Sequence, residues 1–195
     1  MQKYLILKIA IVCCAVFTAY SAIKIQTAKE VVPNVFVNAA SNNFQTHQGI
    51  TFLDNKPFSG WQYQLFDNGD TAYLFPFING KENGVATQWY PGKKLKEVRQ
   101  YEKGNKTGEH RGWWENGRLR FDYHFSNDLY EGSVEEWYET GQLFRKMNYE
   151  KGYEKGLQKI WRPDGSLHAN YEVKNGRYYG LTGVFHCKNV WKDEK

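Results

Sequence analysis

Between residues 60 and 180 the apolar and polar positions of the chain recur with a period of 24. Glycine marks the period at Gly60, Gly84, Gly108, Gly132, Gly156 and Gly180. With each of these taken as position 1, position 6 carries Leu65, Trp89, Trp113, Trp137, Trp161 and Phe185. Position 12 carries Thr71, Leu95, Leu119, Leu143 and Leu167, and position 18 carries Phe77, Tyr101, Phe125, Tyr149 and Val173. Further glycines return at position 10 (Gly69, Gly117, Gly141, Gly165) and position 21 (Gly80, Gly104, Gly152, Gly176). A period of this length marks a solenoid, propeller or array. No window places apolar residues at helical spacing. Each copy is two runs of aromatic and β-branched residues closed by short polar turns, such as Glu115-Asn116-Gly117 and Glu102-Lys103-Gly104, which is the pattern of a β-hairpin.

Register follows from asking which loop keeps the apolar positions together. A three-residue loop with glycine in the left-handed region, used at both turns, puts positions 6, 12, 16 and 18 on one face. The expectation is an all-β fold, an elongated single-sheet array of tandem 24-residue antiparallel β-hairpins. Gly92 comes one residue early and Asp128 stands where glycine is expected, so two turns depart. The position 1 glycines predict a bulge or a close approach by a neighbour, with the ring of an adjacent strand lying over them. Position 7 (Phe66, Tyr90, Trp114, Tyr138, Arg162) and position 13 (Ala72, Lys96, Arg120, Phe144, His168) fall on the other face. Rings interleaved with Lys and Arg suit protein recognition, or else form a second packed stripe. The candidate partner-binding residues are Tyr90, Lys96, Trp114, Arg120, Tyr138, Arg162 and His168. On this register Trp113 is core, and Trp114→Ala leaves stability nearly unchanged.

The stretches WWENGRL (113–119), WYETGQL (137–143) and NYEKGYEKG (148–156) resemble the bacterial variant of the MORN repeat, and FLDNKPFSG (52–60) resembles the half-repeat that opens such arrays. The resemblance spans residues 49 to 191. It implies the hairpin array and a likeness to the YwqK-family antitoxins, and it brings no catalytic motif.

Residues 1–22 read as a signal peptide, with Lys3 and Lys8 ahead of an apolar run and Ala19-Tyr20-Ser21 as the cleavage signal. The alternative is an N-terminal membrane anchor, although the apolar stretch of about 15 residues falls short of the roughly 20 that span a bilayer. Cys13 and Cys14 lack a lipobox before them. Residues 23–48 read as a linker or a loosely attached strand (31–37), and residues 49–195 as the array. Loss of the leader leaves Cys187 alone, so the mature fold needs no disulfide.

Composition narrows the chemistry. Aromatic residues are 17% of the chain, which suits a sheet with large faces. Without Lys3 and Lys8 there are 24 Lys and Arg against 21 Asp and Glu, a net of +3 with the signs interspersed. That is no nucleic-acid footprint and too little to hold anionic lipid, so membrane contact is expected only through the N-terminal segment. His47, His110, His124, His168 and His186 occupy different repeat positions, so the period stacks no metal site. No pair of carboxylates is placed for acid–base work, and no nucleophile elbow or phosphate loop is present. No cofactor, metal or catalytic residue is expected, and the protein reads as no enzyme. The leading expectation is an exported, periplasmic or envelope protein that binds a protein partner, in the manner of an antitoxin or immunity protein. A wall- or glycan-binding module using exposed rings is the alternative, and a membrane-associated scaffold a third.

Overall fold

The structure, a computed structural model, describes residues 30–183. The expected leader, the first part of the linker, and His186 and Cys187 lie outside the described residues. Within them the only helix is one 3-10 turn, Ala39–Ser41. The strands of the lead-in are β1 (Phe36–Asn38), β2 (Phe44–His47), β3 (Ile50–Leu53) and β4 (Lys56–Pro57). The array follows as β5 (Gly60–Leu65), β6 (Thr71–Ile78), β7 (Lys81–Glu82), β8 (Gly84–Tyr90), β9 (Lys94–Glu102), β10 (Asn105–Lys106) and β11 (Gly108–Trp113). It continues through β12 (Leu119–Ser126), β13 (Leu129–Trp137), β14 (Leu143–Glu150), β15 (Tyr153–Glu154), β16 (Gly156–Trp161), β17 (Leu167–Lys174) and β18 (Arg177–Leu181). The array and β1 form a 15-stranded sheet, in which the array strands follow chain order with β7, β10 and β15 as short arms on the strands before them. The lead-in departs from the linker expectation. β1 pairs in parallel with β5, and β2, β3 and β4 form a separate three-stranded sheet.

The two turns of each repeat differ. The first is the expected three-residue loop: Trp114 N–H donates to Arg118 O at 2.8 Å and Gly117 N–H to Trp114 O at 2.9 Å, with Gly117 at φ +84°. In the second repeat Lys93 holds the left-handed place beside the early Gly92 (φ +62° and +79°). The second turn is a two-residue loop, not three. Lys103 and Gly104 (φ +52°, +87°) join the paired Glu102 and Asn105, the mirror-image turn that matches strand twist. Asn and Asp also tolerate that region, so Asn127-Asp128 (φ +48°, +65°) makes the same turn without glycine.

A bulge decides which face is buried. In all five repeats the register shifts between positions 5 and 6, so that Trp113 faces Leu119 while Gly112 faces Phe121. The extra residue, position 13, reverses the alternation beyond the turn. Positions 3, 14, 16 and 18 therefore share the packed face. They supply Ala86, His110, Val134 and Gln158; Glu97, Phe121 and Ala169; Met147 and Tyr171; and Phe77, Phe125 and Val173, all buried. Positions 16 and 18 are core as expected. Positions 6 and 12 are not: no Trp in that row is buried, and Leu95 and Leu167 are exposed. The opposite face carries ion pairs across paired strands, Arg111–Asp122 at 3.0 Å and Lys146–Glu135 at 2.7 Å. Exposed pairs of this kind contribute about 0–1 kcal/mol each, so the packed rows carry the sheet.

The position 1 glycines are all at positive φ, from +63° at Gly108 to +148° at Gly60. They bulge the chain between the second turn and the next strand. Whereas at Gly60 a Cβ would meet the Phe58 ring at 2.9 Å, the expected ring does not cover Gly132 or Gly156, where a Cβ would meet nothing within 4 Å. Backbone conformation is the reason for glycine there. Beside the bulge two buried position 3 side chains hydrogen-bond the backbone of the neighbouring strand. Gln158 Nε2 donates to Asn148 O and its Oε1 accepts from Asn148 N, both at 2.9 Å. His110 Nε2 lies 2.8 Å from Gln100 O.

Candidate functional site

The first turns all lie at one end of the strands, and each carries position 7 at its base. Tyr138 N–H donates to Gln142 O at 2.9 Å, and Arg162 N–H to Ser166 O at 2.8 Å, as Trp114 does to Arg118. The bulge places position 13 beside this base. The result is one pair in each of the last four repeats. Lys96 Nζ lies 5.6 Å from the centre of the Tyr90 ring. The Arg120 guanidinium lies 5.6 Å from the Trp114 ring and 5.1 Å from the Phe121 ring. Tyr138 meets Phe144 with ring centroids 5.1 Å apart. Arg162 Nη2 lies 3.1 Å from His168 Nδ1. The structure thus gathers the seven candidate residues into four adjoining pairs and adds Phe144, which the 24-residue count already places in the row.

The same residues bind the repeats together. Tyr90 Oη donates to Trp113 O at 3.1 Å, Trp114 Nε1 to Trp137 O at 3.1 Å, and Tyr138 Oη to Trp161 O at 3.0 Å. These three position 7 rings each reach the carbonyl of position 6 in the next repeat. The expectation that Trp114 is free of structural duty is corrected on this ground. Its ring is half-buried, and its N–H bonds the backbone of the next repeat.

Arg120 joins the strip to the packed face, which corrects its assignment to the opposite side. It pairs with Glu97, a buried carboxylate that Arg99 Nε also engages at 2.8 Å. One carboxylate between two guanidiniums leaves the cluster positive. Arg99 and Arg120 both lie against the ring of Phe121, the cation–π arrangement that desolvation strengthens. Phe121 in turn covers Gly112, where a Cβ would come within 2.3 Å of the ring. In the next repeat Tyr123 donates to Glu136, which Arg145 also holds. Burial and that hydrogen bond push the Tyr123 phenol well above its ordinary range. These buried polar groups escaped the sequence reading, because only the bulge brings positions 5, 13, 14 and 16 to one side.

Among the described residues no group of three or more His, Cys, Asp and Glu side chains could hold a metal ion. What the strip offers is rings, cations and hydrogen-bond donors in a row with a 24-residue beat. Residues 130–151, the hairpin of β13 and β14 up to its second turn, match the MORN repeat variant family. MORN repeats are in general protein- or membrane-interaction modules. No curated protein matches the chain.

Proposed function

We propose that this chain is a non-enzymatic interaction protein that takes a protein partner along the first-turn rim. The observation that carries the reading is the pairing of positions 7 and 13 in four successive repeats. Half-exposed rings and Arg are the usual anchors of protein interfaces, and here inter-repeat hydrogen bonds hold the rings in advance of binding. Preorganisation of this kind lowers the ordering cost of association. Glycan stacking is a weaker reading, because Lys96 and Arg120 already lie against the rings of Tyr90 and Trp114. On the residue pattern of 1–22 we place the role outside the cytoplasm, with an envelope effector as the partner of an immunity-like protein.

Lys96→Glu and Arg162→Glu are the informative variants, since neither side chain carries an inter-repeat bond. The expected result is loss of a saturable protein partner from envelope extracts, with the melting temperature unchanged. Retained capture by both variants overturns the rim as the binding surface. Capture abolished by free sugar moves the reading to the glycan module. The mass of the mature N-terminus tests export and cleavage.

A further inference from the structure

At the opposite end of the strands the second turns are joined one to the next. The N–H of position 21 donates to the C=O of position 23 one repeat earlier: Gly80 to Phe58 at 2.6 Å, Gly104 to Glu82 at 2.8 Å, Asp128 to Lys106 at 3.0 Å, and Gly152 to Tyr130 at 2.9 Å. At three of these joints a position 24 side chain also accepts from the N–H of position 20. Ser59 Oγ takes Asn79 at 2.8 Å, Asn83 Oδ1 takes Lys103 at 2.9 Å, and Glu131 Oε2 takes Lys151 at 2.8 Å. These amides belong to two-residue loops whose own hairpins do not use them.

The pattern stops at the last joint. No such bond connects Gly176 to Glu154, and no side chain among the described residues accepts from Asn175 N–H. Position 24 is here Lys155, which can only donate and which pairs with Glu150. Packing stops as well. A Cβ on Gly104 would meet Lys81 at 3.5 Å and one on Gly152 would meet Leu129 at 3.1 Å, whereas Gly176 faces nothing within 4 Å. Tyr153 stands where Lys81 and Leu129 stand, and it is 80% exposed. Between the two arms lies an open groove lined by Tyr153, Glu154, Lys155, Val173, Asn175 and Gly176.

We propose that this groove docks an extended, acidic peptide segment of a protein partner. An extended segment carries the N–H that the Glu154 carbonyl lacks and the C=O that the Gly176 amide lacks. An acidic side chain fills the acceptor place that Ser59, Asn83 and Glu131 fill at the earlier joints. The lining is balanced, three glutamates against three lysines, so its local pairing sets the preference for an acidic side chain. Glu150 and Glu172 are engaged by Lys155 and Lys174, and Glu154 accepts from Tyr171. Lys151, on the groove wall, makes no ion pair among the described residues. The Tyr153 ring supplies the apolar contact. The proposal rests on the interaction-protein reading above and gives it a second contact, at the other end of the strands.

The test is amide NMR on the full chain, titrated with acetyl-(Glu-Val)4-amide and, in parallel, acetyl-(Lys-Val)4-amide. Saturable shifts centred on Glu154, Asn175 and Gly176 are expected with the acidic peptide alone. Lys155→Asn restores the acceptor seen at Asn83, so it closes the joint, raises the melting temperature and abolishes those shifts. Tyr153→Ser, a change at an exposed side chain, weakens binding by about tenfold, the loss that about one good contact carries. The Lys96→Glu variant still binds the peptide, which separates failure of the groove from failure of the rim. The proposal is overturned if the basic peptide binds equally, or if free glutamate reproduces the shifts. It is also overturned if Lys155→Asn binds unchanged, or if Asn175 and Gly176 amides are already protected in the free chain.

Discussion

Trp113 and Trp114 are neighbours in sequence with different duties, and the hydrogen bond from Trp114 Nε1 to Trp137 O is the difference. Trp114→Phe keeps most of the ring and removes the donor, leaving a half-buried carbonyl short of a partner. A loss of about 0.5–1.5 kcal/mol is expected from one such bond, read as a lower melting temperature. Trp113 is half-buried on the face away from the packed rows, so Trp113→Phe is expected to change stability less. The reverse order of the two melting temperatures would mean that the ladder is not what holds successive repeats. Gly132 isolates a backbone effect: its φ is +77° and a Cβ there would touch nothing within 4 Å. Gly132→Ala is expected to cost about 1–2 kcal/mol, the penalty of a left-handed residue. Gly132→Asn is expected to cost less, because Asn tolerates that region. Chemical denaturation of the pair checks this, and equal costs would point to a steric cause.

At the scale of the repeat joint, His110 and Gln158 perform one task with different chemistry. Both sit at position 3, fully buried, and both hydrogen-bond the backbone of position 17 one repeat earlier, Gln100 for His110 and Asn148 for Gln158. Because Gln100 O can only accept, His110 donates from Nε2. Its Nδ1 is buried without a partner. Burial, reinforced by nearby Arg99 and Lys106, lowers its pKa below the ordinary value. The unfolded chain therefore takes up a proton at higher pH than the folded chain does. The contribution of His110 is fully present above about pH 6.5 and is lost as pH falls through the window down to the folded value. His110→Gln places the side chain of Gln158 in the same role without a titration. The variant is expected to keep its stability at pH 7.5. It is also expected to flatten the loss below pH 6.5 by up to about 1.4 kcal/mol per pH unit, the weight of one proton. Urea unfolding at several pH values tests this, and an unchanged pH profile would remove His110 from the account.

For the molecule as a whole, a sheet built by stacking hairpins must end somewhere, and open edges invite pairing with other chains. At its N-terminal side the sheet is closed by β1, a three-residue parallel strand. Phe36 stacks on Trp61 with centroids 6.0 Å apart, and Trp61 N–H donates to Val35 O at 2.7 Å. Removing residues 1–38 uncovers the edge from Gly60 to Leu65. Concentration-dependent association by light scattering is the expected result, together with faster amide exchange in β5. A truncated chain that stays monomeric and protected would show that β1 is not an edge cover.

The 24-residue period, the hairpin, the three-residue first loop and the bulge glycines were legible in the sequence. Each is local: a turn or a positive φ selects its residues from within a few positions of itself. So was the row of Tyr90, Lys96, Trp114, Arg120, Tyr138, Arg162 and His168, since a repeat places equal positions in line whatever the face. The face itself was decided by tertiary structure. One extra residue at position 13 flips the alternation, so the Trp and Leu rows leave the core while Ala86, Val134, Met147 and Ala169 enter it. A bulge leaves no strong mark on composition, because its residue is chosen by the strand opposite. The pairing of β1 with β5 is also non-local, joining a segment without the period to the first hairpin. The break at Lys155 shows the same division. The letter is plain in the chain, but its consequence needed four earlier joints in three dimensions to be seen.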